Sequence, residues 1–100
     1  MRPTDAIRGK EADIRRLIEA YGFIEPKLFG SAARCDDHEG SDLDLLATTP
    51  PAMAGKISLF DIAELEDELQ ALVGVPVDFH VRNNMPEHLR PSIEREVVML

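Results

Sequence analysis

Leu28-Phe29-Gly30-Ser31-Ala32-Ala33-Arg34, a polar segment from Cys35 to Ser41, and then Asp42-Leu43-Asp44-Leu45 form the stretch on which the fold turns. The apolar residues before Gly30 read as a strand over 23–29, irregular at Pro26. Gly30-Ser31 reads as a tight turn closing it. Asp42 to Ala47 reads as a second strand, and Thr48-Thr49-Pro50-Pro51 ends it, because two prolines cannot sit inside a ladder. Residues i and i+2 of a strand face the same side. Asp42 and Asp44 are therefore expected side by side, with Leu43 and Leu45 turned into the core.

Such a pair is electrostatically costly. Two carboxylates about 4 Å apart repel by roughly 4 kcal/mol at an effective dielectric near 20. Water can screen the repulsion at a strand end, and an isolated Asp-x-Asp is commonly no more than that. Otherwise a cation must do so, and oxygen-only ligands select a hard divalent ion such as Mg²⁺. The nearby Gly30-Ser31 turn adds to the second reading. Glycine lets the backbone approach a ligand, and the following amides with a serine hydroxyl can bind phosphate oxygens. The sequence has no Gly-x-x-x-x-Gly-Lys-Ser/Thr run, so a P-loop is excluded as the phosphate cradle.

Working outward, Ile7, Ile14, Leu17, Ile18 and Tyr21 recur at helical spacing, which predicts one helix capped by Thr4 and stopped at Gly22. Residues 52–57 read as a loop. A second helix starts near Ser58, carries an apolar stripe of Leu59, Ile62, Leu65, Leu69 and Leu72, and ends at Gly74. Val75 to Val81 alternates, with Val75, Val77, Phe79 and Val81 on one side and Asp78 and His80 on the other. Asp78 is the one acid in this strand. At a sheet edge it would face water; next to the Asp42 strand it would join Asp42 and Asp44 on one face. Asn83-Asn84-Met85-Pro86 reads as a turn. A last helix from Glu87 or Pro91 carries Ile93, Val97 and Leu100 on one face. The order is α-β-(turn)-β-α-β-α: a single α/β (α+β) domain over residues 1–100, with a small mixed three-stranded sheet packed with helices.

Composition narrows the function. One hundred residues suffice for one small domain, and an apolar fraction of 44% is that of a globular chain. No apolar run approaches the roughly 20 residues that cross a bilayer, and the N-terminus lacks a secretory signal. A single cysteine, Cys35, fits a reducing cytoplasm. Eleven basic against 19 acidic residues, a net charge of -8, argue against direct nucleic-acid binding and permit metal cations and a basic partner.

Asp36, Asp37 and Glu39 fail the EF-hand spacing, which would need glycine at Ser41 and glutamate at Ala47, and read as a solvated loop. His38 and His80 have no Cys or His partner at zinc spacing and read as structural or solvent-facing. Arg34 either touches phosphate or braces the loop. Val97-Val98-Met99-Leu100 divides between core and interface.

Gly30-Ser31, ten residues, Asp42-Leu43-Asp44, and Asp78 in the later Val77-Asp78-Phe79 strand together resemble the DNA polymerase β-like nucleotidyltransferases. The nearest likeness is to their smallest branch, the minimal nucleotidyltransferases, many of which are antitoxins paired with HEPN-domain toxins. The resemblance runs from Ile7 to Leu100 and includes the closing Glu94-Arg95-Glu96-Val97-Val98. It implies a nucleotidyltransferase fold and a two-metal mechanism using Mg²⁺ or Mn²⁺ with ATP as substrate. Asp42, Asp44 and Asp78 would be the catalytic, metal-holding carboxylates, and Gly30, Ser31, Arg34 and Ser41 would line the nucleotide site. It further implies an antitoxin that transfers AMP to a tyrosine hydroxyl of a HEPN toxin and releases pyrophosphate. The family usually has glycine where this chain has Cys35. That departure leaves a second possibility, a vestigial site in an antitoxin that neutralises by contact alone.

Overall fold

The structure, a computed structural model, describes residues 1–100 apart from the side chains of Ile93 and Glu96. Helices α1 (Pro3–Ala6) and α2 (Glu11–Ala20) lead into strand β1 (Ile24–Phe29). The short helix α3 (Gly30–Arg34) follows directly, then a loop and strand β2 (Leu43–Thr48). A 3-10 turn at Pro51–Met53 leads to helix α4 (Leu59–Val73) and strand β3 (Val77–Val81). The chain closes with two 3-10 turns, helix α5 (Arg90–Glu96) and the two-residue strand β4 (Val98–Met99).

The sheet order is β3-β2-β1-β4. β1 runs antiparallel to both β2 and β4, whereas β2 and β3 are parallel. Parallel neighbours need a long crossover, and α4 supplies it. The expected three strands are all present, and the mixed sheet gains a fourth at its edge. The reading of residues 97–100 as helix is corrected here. α5 stops at Glu96, and Val98 and Met99 pair with Leu28 and Lys27. A two-residue edge strand has too little periodicity to be seen in a sequence. Its apolar residues remain largely exposed, while Leu100 packs against the core. Of the helical face expected to carry Ile93, that side chain lies outside the described residues.

One face of the sheet carries the core. Leu43, Leu45 and Ala47 of β2 and Val77, Phe79 and Val81 of β3 meet Ile14 and Ile18 of α2 and Leu65, Leu69 and Val73 of α4. Phe23 lies against Phe79 with ring centroids 5.0 Å apart. α4 starts as its sequence demands. The Ser58 hydroxyl accepts from the Asp61 amide and the Asp61 carboxylate accepts from the Ser58 amide, a capping box that satisfies two otherwise unpaired donors. Its apolar stripe is shorter than expected: Leu59 is 81% exposed and Phe60 87%, and the buried residues of the helix begin at Leu65.

The N-terminal helix is also corrected. It breaks at residues 7–10, where Gly9 sits at φ +81°, and α1 has no side-chain cap of its own. Thr4 lies inside α1 and is a donor. Its amide and hydroxyl donate to the two oxygens of Asp37, at 2.8 and 2.5 Å. Asp37 is therefore buried, not solvated, and the 35–41 loop presents it to the helix. β1 begins irregularly as expected, with a register shift between Ile24 and Lys27 and Glu25 at φ +54°.

Candidate active site

Three strands converge on the sheet face opposite the core. Register pairs Phe29 of β1 with Asp44 of β2, and Asp44 with Asp78 of β3. Residues directly opposite in a sheet share a face. Leu43 and Leu45 are buried on one side of β2, so Asp44 must emerge on the other. The same alternation brings out Asp78 and His80 between the buried Val77, Phe79 and Val81. His80 Nε2 lies 3.4 Å from Asp44 Oδ1 and 3.4 Å from Asp78 Oδ2. The Phe29 ring meets the imidazole edge-on, centroids 5.3 Å apart at 74°.

Asp44 is more enclosed than either Asp42 or Asp78. Burial pushes its carboxyl above the usual carboxylate range. The His80 contact opposes that rise, and the negative charges of Asp78 and Asp42 reinforce it. Asp42 is exposed and stands one residue before β2, whose entry is pinned by the Leu43 amide donating to the Pro76 carbonyl at 2.8 Å. It is near enough to act on Asp44 electrostatically, yet it lies outside the group whose donor atoms all fall within 4.8 Å of one another, Asp44, Asp78 and His80.

Gly30 joins this acidic face to the Gly-Ser turn. It opens α3 at φ +69°, a left-handed conformation that suits glycine. A Cβ there would collide with Asp44 Oδ2 and stand 3.2 Å from its Cγ. Glycine is required twice, by the backbone angle and by the closeness of the carboxylate. Ser31 follows, half-buried, and its carbonyl accepts from the Asp36 amide at 3.1 Å. Cys35 ends α3 in the left-handed conformation, φ 60° and ψ 28°. The residue that departs from the family's usual glycine thus sits in a left-handed conformation, the region that glycine enters without strain. Arg34 donates to Asp36 at 3.2 Å and so braces the loop. Ser41 closes the loop: its hydroxyl accepts from the His38 amide, and its amide donates to the His38 carbonyl, both at 3.0 Å. His38 is exposed, as expected.

His80 is the residue that motif spacing missed. A search for Cys or His partners cannot find a histidine whose neighbours are aspartates on its own strand and the next. The available signal was its i+2 relation to Asp78.

A family of nucleotidyltransferase domains matches residues 9–100. The protein adenylyltransferase MntA of Thermococcus cleftensis is 33% identical over 84 residues, covering 84% of this chain and 81% of that relative. A candidate protein adenylyltransferase of Methanocaldococcus jannaschii is 33% identical over 85 residues, 84% of this chain and 83% of its own. A solved structure assigned as a minimal nucleotidyltransferase superposes with a TM-score of 0.82 at 31% identity, covering 97% of this chain and 95% of the other. A toxin-antitoxin structure with AMP-PNP shares the fold, with a TM-score of 0.74 at 20% identity over 89% of this chain and 70% of that one. The chain belongs to the nucleotidyltransferase family, in the minimal branch that includes the protein adenylyltransferases. Among the described residues, no helix is long and apolar enough to cross a membrane.

Proposed function

We propose that this chain is a cytoplasmic antitoxin that transfers AMP from ATP to a tyrosine hydroxyl of a HEPN-domain toxin. The observation that carries the reading is the packing of Gly30 onto Asp44, which makes the Gly-Ser turn and the acidic strand one site. Kinship with a protein adenylyltransferase at 33% identity supports the reaction class. The toxin–antitoxin fold relative accords with a protein acceptor.

The donors suit a hard divalent cation such as Mg²⁺ or Mn²⁺. Asp44 and Asp78 bring carboxylate oxygens together, Asp42 adds negative charge beside them, and burial leaves Asp44 short of stabilising charge. Asp42, Asp44 and Asp78 would hold the metal. When bound, divalent ions would neutralise the phosphate oxygens and the charge on the departing pyrophosphate. Ser31 and the amides about Gly30 would hold the β- and γ-phosphates, with Arg34 and Ser41 keeping the loop in shape. Asp78, the most exposed of the three strand-borne donors, would take the proton of the incoming hydroxyl. The hydroxyl oxygen bonds to the α-phosphorus in line with the bond that breaks, and pyrophosphate leaves. Positioning and charge stabilisation account for most of the acceleration.

The left-handed Cys35 supports an active site over a vestigial one, since it takes the kind of backbone angle that glycine accommodates most readily. Incubation with the toxin, ATP and Mg²⁺ should add one AMP mass, or a small multiple, to a toxin tyrosine. Asp44→Asn should abolish the adduct without lowering stability. A carboxyl whose folded pKa is raised opposes folding at neutral pH, so removing its charge is not destabilising. If Asp44→Asn neutralises the toxin as well as wild type and no adduct forms with either protein, the chain acts by contact alone.

A further inference from the structure

We propose that His80 is a direct metal ligand, which makes the site a mixed nitrogen–oxygen centre with a stronger preference for transition ions such as Mn²⁺ over Mg²⁺ than carboxylates alone would give. The proposal rests on the nucleotidyl-transfer reading for the presence of a cation, and on geometry for the identity of the ligand. His80 Nε2 stands 3.4 Å from an oxygen of Asp44 and 3.4 Å from an oxygen of Asp78. Donor atoms that share an ion at about 2.1 Å stand about 3.0 Å apart at octahedral right angles and about 3.4 Å at tetrahedral angles. The His80 separations already lie in that range, and all three donor atoms fall within 4.8 Å of one another.

The imidazole is placed by the sheet and by a neighbour. His80 is two residues after Asp78, on the same face of β3, and its register partner in β2 is Leu46, two residues after Asp44. The Phe29 ring packs edge-on against the imidazole while Nε2 faces the carboxylates. A merely solvent-facing histidine needs neither feature. Mg²⁺ prefers oxygen donors and retains its waters, whereas imidazole raises affinity for the first-row transition ions.

The test is pulsed electron paramagnetic resonance on the ¹⁵N-labelled full chain with Mn²⁺ and an unlabelled, non-hydrolysable ATP analogue, so that any ¹⁵N coupling comes from the protein. The expected result is a ¹⁵N coupling that disappears in both His80→Ala and His80→Gln. Mn²⁺ affinity in those variants should fall at least about tenfold, with Mg²⁺ affinity changing much less. Bound Mn²⁺ without protein nitrogen coupling would overturn the ligand assignment and leave the transfer reading standing. Coupling that persists in the variants would overturn it as well. Failure of Mn²⁺ to bind at all, even with nucleotide, would remove both readings.

Discussion

Strand β2 is flanked by two segments built on different terms. After it comes α4, where local rules and fold agree beyond the exposed Leu59: a capping box at Ser58 and Asp61, a buried stripe through Leu65 and Leu69, and a left-handed Gly74 at the end. Before it lies the connection over residues 30–42, where local preference is repeatedly overridden. Gly30 is pressed against a carboxylate, Cys35 takes a left-handed angle, and Asp37 is buried with Thr4. The contrast separates a segment selected for stability from one that holds backbone and charge in place beside the acidic face. Strain of this kind persists only where surrounding contacts over-determine it.

The two glycines at comparable angles test this contrast most sharply, Gly30 at φ +69° and Gly74 at φ +77°. A Cβ at Gly74 meets nothing within 4 Å, whereas at Gly30 it meets Asp44. Gly74→Ala should cost about 1 kcal/mol in urea unfolding and leave transfer near wild type. Gly30→Ala should cost about 2–3 kcal/mol and reduce transfer on the order of 100-fold by displacing Asp44. Equal costs at the two positions would mean that only the backbone angle matters.

Asp37→Asn comes next. Burial alone would raise the Asp37 carboxyl, but the Thr4 hydroxyl and amide, aided by its own amide and the charge of Arg2, hold it below the usual range. The sign follows directly. A lowered folded pKa contributes stability above the unfolded value near 3.9, and that contribution is lost as pH falls through the folded value. Asp37→Asn should cost about 1–2 kcal/mol at neutral pH, as for loss of a helix cap. It should also flatten the acid limb of the stability profile below about pH 4. An unchanged acid limb would show that Thr4 and Asp37 are not paired in solution.

Cys35→Gly is the smallest effect and has the opposite sign. Relieving a left-handed non-glycine residue should stabilise the chain by about 1 kcal/mol, read as a higher Tm. The gain is a test of strain in the connection, since no such gain is available in α4.

Much of this molecule is legible without coordinates, and the reason is locality. The period of two that buries Leu43 and Leu45 also forces Asp44 outward. Serine three residues before an acid starts a helix whatever lies around it, and Gly30-Ser31 ends a strand by its own backbone. Those relations span a few residues and are written in residue type and spacing. The tertiary structure alone decided the rest. Parallel pairing of β2 with β3 sets Asp44 opposite Asp78 and draws in His80, and it depends on the collective burial of side chains far apart in the chain. The same non-local packing buried Asp37 against Thr4, left Leu59 exposed at the head of α4, and turned Val98 and Met99 into an edge strand. A residue's type and near neighbours state what it can do. Which distant partner it meets is determined only when the whole core closes.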